Sequence, residues 1–182
     1  MQTDRLTLAG ILCLARAALT LLLASLVSRL AGQPSFGPKL ITALLTVIAF
    51  LIFVYIFTTL KQLLNERYDF HKTDLTIIGL IAVSSLTALL TVGSLVISGT
   101  LATDTTLLTF MSIGFGVLLV AFSIQLLRLQ DNLFGFLKPY AFLSAAAGAG
   151  IASIKFAGVG VIFGAVADVL LAIIFIKASG SR

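Results

Sequence analysis

Residues 40–60 read LITALLTVIAFLIFVYIFTTL, a run of 21 residues without a single charge. As an α-helix such a run spans roughly 30 Å, the thickness of a bilayer's hydrocarbon core. This run is not isolated. The 182-residue chain is 59% hydrophobic and only 10% charged, against about 25% charged in ordinary soluble domains. Too little polar surface would remain to cover a compact soluble fold. The fold class that follows is all-α, a polytopic transmembrane helix bundle within one integral membrane domain, residues 1–182.

Six apolar segments are expected, over about 6–30, 40–63, 75–97, 105–127, 139–154 and 161–176. Between the first two lies the breaker-rich AGQPSFGP, and NERYDFHKTD, which holds the single histidine, separates the second from the third. Thr73 or Asp74 is placed to cap the third helix. Pro139 suits the first turn of the fifth. In RLQDNLFGFLKPY, Phe134, Phe136 and Tyr140 alternate with charges and read as rings at headgroup level. The last two segments are short for spans. A turn built on Lys155, Gly158 and Gly160 would make them a hairpin of two helices; a re-entrant unit is the alternative.

Loop charge sets the orientation. With the amino terminus inside, the inner regions carry Arg5, Lys61, Arg67, Lys72, Arg128, Lys138, Lys177 and Arg182, whereas the outer ones carry Arg29, Lys39 and Lys155. Eight against three is a positive-inside bias that favours both termini inside. The first segment as a cleaved leader is the weaker reading, because SRLAGQ lacks a clean small-x-small site. The expected location is a bacterial cytoplasmic (inner) membrane.

Two charges interrupt the apolar runs: Arg16 and Asp168. A charge near the bilayer centre costs several kcal/mol unless paired, hydrated or able to snorkel. Arg16 follows Leu6 by ten residues, roughly 15 Å of helix, and Asp168 precedes Ile176 by eight, roughly 12 Å. Both lie at similar depth from the inner face. Ala9, Cys13, Thr20 and Ala24 flank Arg16 at helical spacing and give that face a small-residue character. An Arg16–Asp168 contact joining the first and last helices is therefore expected.

Polar stripes mark the third and fourth segments. Thr76, Leu80, Ser84, Thr87, Thr91, Ser94 and Ser98 fall within one arc of the third, and Thr105, Thr109, Ser112, Gly116, Leu119 and Ser123 within one arc of the fourth. Small and hydroxyl residues let helix backbones approach and hydrogen-bond, so packing is the leading explanation. A solvated path is the sharper alternative. Ser144, Gly148 and Ala152, then Gly160 and Gly164, repeat at four-residue spacing and suit close helix contact.

The chemistry of an enzyme is hard to assemble from this sequence. His71 stands alone in a polar loop, short of the three or four ligands of a metal site. Cys13 has no histidine on its own helix, and the glycines of GVGVIFG lie outside a strand–turn–helix context. No catalytic residue, metal site or cofactor is expected. The basic residues sit singly at helix ends, so nucleic acid is not an expected partner. The bilayer is, together with a second copy or another membrane protein. A non-enzymatic scaffold or accessory subunit is the leading functional expectation. The alternative is a component of a small-solute or ion transporter using Arg16 and Asp168.

Overall fold

The computed structural model describes residues 2–30, 36–98, 105–129 and 133–180, with side-chain placement described over 4–26, 40–93, 106–129 and 133–180. Within these residues lie six α-helices and no strand: α1 (Gln2–Leu30), α2 (Phe36–Tyr68), α3 (Asp74–Ser98), α4 (Thr105–Leu127), α5 (Leu137–Ala152) and α6 (Ala157–Gly180), with one short 3₁₀ turn at Leu133–Gly135. Five of them, all but α5, are long and apolar enough to cross a membrane. At 16 residues, α5 extends roughly 24 Å. Large apolar side chains such as Ile11, Leu51, Leu89, Phe110 and Phe142 face outward. That exterior suits lipid, where no water competes for the surface.

Each helix packs against its neighbours in sequence, and α6 returns to pack along α1. The helices therefore form a closed ring. One end of the ring gathers the start of α1, α3 and α5 and the end of α2, α4 and α6. There Asn65 Nδ2 donates to both Asp74 oxygens at 3.2 Å, and Lys61 Nζ lies 3.4 Å from the same carboxylate. Thr76 donates to Gln125 Oε1 at 2.8 Å, tying α3 to α4, and Arg67 Nη1 donates to the Ala178 carbonyl at 3.4 Å, tying α2 to α6.

The largest fully buried side chains all belong to this end. Ile56, Leu60 and Leu64 of α2 meet Ile77 and Leu80 of α3, Phe122 and Leu126 of α4, Leu137 of α5, and Leu171, Ile174 and Phe175 of α6. We call it the packed end.

Several expectations need correction. Helix α6 is not short: it starts at Ala157, and Gly158 and Gly160 are helical. The turn before it is made by residues 153–156 instead. There the Ser153 hydroxyl donates to the Gly150 carbonyl (2.8 Å), and Ile154 takes a left-handed φ of 59°. The glycines are used for proximity. A Cβ on Gly160 would stand 2.8 Å from the Ala147 carbonyl oxygen, and one on Gly150 2.8 Å from Gly160 Cα.

Helix α5 opens at Leu137, two residues before Pro139, which is tolerated because the first turn's N–H groups have no helical partner. This early start turns Tyr140 into the bundle, 2% exposed, rather than toward headgroups. Phe136 lies half-buried beneath the Lys177 ammonium, 4.6 Å from it, and Phe134 is exposed. Helix α2 runs five residues past its expected end, to Tyr68. At the start of α3, Thr73 accepts the Ile77 N–H through its carbonyl, but its buried hydroxyl has no partner. Asp74 likewise spends its carboxylate on Asn65 and Lys61.

Candidate functional site

Arg16 Nη1 donates to Asp168 Oδ1 at 2.8 Å, so the first and sixth helices are joined by the pair the sequence suggests. Ala9, Cys13 and Ala17, all buried, bring α1 close to α6. Asp168 lies between the buried Ala167, Leu171 and Ala172. Its side chain is 8% exposed, whereas that of Arg16 is 20% exposed. The guanidinium also covers the ring of Phe53, 4.7 Å from its centroid, an attractive contact between a cation and the negative face of the ring.

Phe53 begins a chain of rings that crosses the interior. Its centroid lies 4.4 Å from that of Phe57 and 6.1 Å from that of Phe115, and Phe57 lies 5.6 Å from Phe122. Helices α2 and α4 are not neighbours in the ring, so these aromatic contacts bridge its middle. They separate the packed end from what lies on the other side.

On that side is a cavity of about 290 Å³. Its wall takes Arg16 and Thr20 from α1, Thr46, Ala49, Phe50 and Phe53 from α2, Ser84, Thr87 and Ala88 from α3, Met111, Ser112 and Phe115 from α4, and Ile151 from α5. The volume is near the lower end of small-molecule sites, which run from about 300 to 1,000 Å³. Arg16 is the charged residue in this lining, and Asp168 stands behind it.

The two polar stripes divide between these halves. Ser84, Thr87 and Ser112 line the cavity. Thr91 donates to the Thr87 carbonyl at 2.8 Å and is half-buried, and Thr109 is half-buried outside the cavity lining. Gly116 serves packing: a Cβ there would be 2.5 Å from the Gly148 carbonyl oxygen. Ser123 donates to the Leu119 carbonyl within the core. The side chain of Ser94 lies outside the described residues.

Thr46, Phe50, Phe53, Met111, Phe115 and Ile151 carry no sequence signal of this role. An apolar residue facing a cavity and one facing lipid look alike in a helix that is apolar all round. Thr46 alone had a polar atom to betray it, and it stands four residues after Thr42, whose carbonyl takes its proton at 2.8 Å.

Among the described residues no group of three or more His, Cys, Asp or Glu side chains is placed to hold a metal ion. His71 pairs with Asp69 (3.2 Å) and Asp74 (3.6 Å) at the exposed rim of the packed end. No protein-family model matches the chain, and neither a curated protein nor a solved structure matches it.

Proposed function

We propose that the chain is a non-enzymatic membrane carrier for a small solute, with the central cavity as its binding site. The carrying observation is the cavity at the Arg16–Asp168 level, walled by hydroxyl groups of four helices and closed off from the packed end by the Phe53–Phe57–Phe122 rings. Binding sites of this kind, near the bilayer midplane between helices, suit alternating access. In this reading all six helices span, the packed end faces the cytoplasm because it gathers Arg5, Lys61, Arg67, Lys72, Arg128, Lys138 and Lys177, and solute enters from the opposite side.

The ion pair alone would equally suit a scaffold, since a buried charge pair can simply fix how helices assemble. What favours the carrier is that Arg16, besides meeting Asp168 and Phe53, is part of the cavity wall.

Thiol labelling tests the proposal. In a Cys13→Ala background, Ser112→Cys should react with a membrane-impermeant thiol reagent added outside intact cells. Ser123→Cys, in the core, should stay protected. Protection of both would mean a dry interior and would return the chain to the scaffold reading.

A further inference from the structure

The carrier reading leaves the solute's chemistry open, and the cavity's hydrogen-bonding groups narrow it. Arg16 offers donors. Its contact with Asp168 uses Nη1 and one carboxylate oxygen, so a planar fork of five N–H groups has others left for a second acceptor. Its position over the Phe53 ring, 4.7 Å from the centroid, adds a second attachment to the guanidinium.

Thr46 and Thr87 offer the opposite. Each hydroxyl gives its proton to the carbonyl four residues earlier in its own helix, Thr42 at 2.8 Å and Val83 at 2.9 Å. What remains on each oxygen is an acceptor lone pair. The lining thus pairs one cationic donor with two hydroxyl oxygens left only to accept, beside the hydroxyls of Thr20, Ser84 and Ser112, which can donate or accept, between the apolar walls of Phe50 and Phe115.

Resting on the carrier reading, we infer that the solute is a small hydroxycarboxylate. Its carboxylate takes the free N–H groups of Arg16, a geometry the guanidinium fork matches well. Its hydroxyl donates to Thr46 or Thr87. A plain carboxylate would leave those acceptors facing an apolar tail. An amine would bring a cation to a lining whose charged side chain is itself a cation.

Calorimetry on the purified full chain in detergent distinguishes these, with lactate, propionate, 1,2-propanediol and ethanolamine as probes. Lactate should bind about tenfold more tightly than propionate, the scale of one net hydrogen bond. The propanediol and ethanolamine should give no heat. The double variant Thr46→Val/Thr87→Val keeps side-chain shape and should bring lactate down to the affinity of propionate. Arg16→Lys, which loses the fork, should weaken both carboxylates together.

Equal binding of lactate and propionate overturns the inference, as does an unchanged lactate preference in the double valine variant. Binding of the propanediol or ethanolamine in place of carboxylates overturns it while leaving a carrier. Absence of binding by every probe overturns it alone if Ser112→Cys is labelled, and takes the carrier reading with it if Ser112→Cys is protected.

Discussion

Arg16 and Asp168 stand 152 positions apart in sequence and 2.8 Å apart in space, and their contact is where the ring of helices closes. It lies at the boundary between the packed core and the cavity. Reversing either charge alone puts two like charges at this part-buried site. Breaking a buried pair costs about 3–5 kcal/mol, because an uncompensated charge remains. Arg16→Asp and Asp168→Arg should each reduce monodisperse protein recovered from membranes. The combined reversal should restore most of it, as read by fluorescence-detected size-exclusion chromatography. Failure of the rescue would show that the two charges are accommodated independently.

Close approach of α4 and α5 depends on the absence of side chains at two facing positions. A Cβ on Gly148 would meet the Gly116 carbonyl oxygen at 2.6 Å, and backbone cannot swing aside as a side-chain end can. Gly148→Ala should therefore destabilise by about 1–3 kcal/mol, the usual cost of overpacking. Gly114, two residues from Gly116, has nothing within 4 Å of an added Cβ. Gly114→Ala should be neutral or gain up to about 1 kcal/mol from helix propensity. Thermal melts of the two variants in one detergent give the comparison.

What the sequence revealed depended on the kind of signal each residue carries. The charges at Arg16 and Asp168 were legible because a charge in an apolar run has few tolerable settings, and helical rise converts sequence position into depth. Gly148 was legible as a packing residue for a different reason, its four-residue spacing from Ser144 and Ala152, which puts small residues on one helix face. By contrast, the Phe53–Phe115 bridge joins helices that are not sequence neighbours, and nothing in an all-apolar helix says which ring points inward. The hydroxyl stripes were visible, but their division between cavity and core was not. Ser84 and Ser123 look equivalent in sequence and differ only in what stands opposite them: open space for one, the buried core for the other.

The turn between α5 and α6 holds a β-branched residue in a conformation that suits glycine. Ile154 has a φ of 59° and is 51% exposed, so its side chain returns little packing for the strain. The left-handed region costs an ordinary L-residue roughly 1–2 kcal/mol. Ile154→Gly should relieve part of that, offset by the greater chain entropy of glycine in the unfolded state. A net rise in melting temperature is expected. Ile154→Val, which keeps the branch at Cβ, should give none.

The aromatic rings below Arg16 stand between the cavity and the packed end. Phe122 is fully buried and touches Phe57, whose ring in turn meets Phe53 on the cavity floor. Phe122→Ala would remove a fully buried ring, at a cost of about 3–5 kcal/mol for a large side chain that its neighbours cannot replace. Part of that cost should appear as a path for water. In a Cys13→Ala background, Ser123→Cys should be protected while Phe122 is present and should become reactive to a small thiol reagent when Phe122 is alanine. Phe110→Ala is the matched control, because that ring is 65% exposed on the outer surface and its loss opens nothing. Equal protection of Ser123→Cys in both alanine variants would place the seal elsewhere in the packed end, among the leucines of α2 and α6.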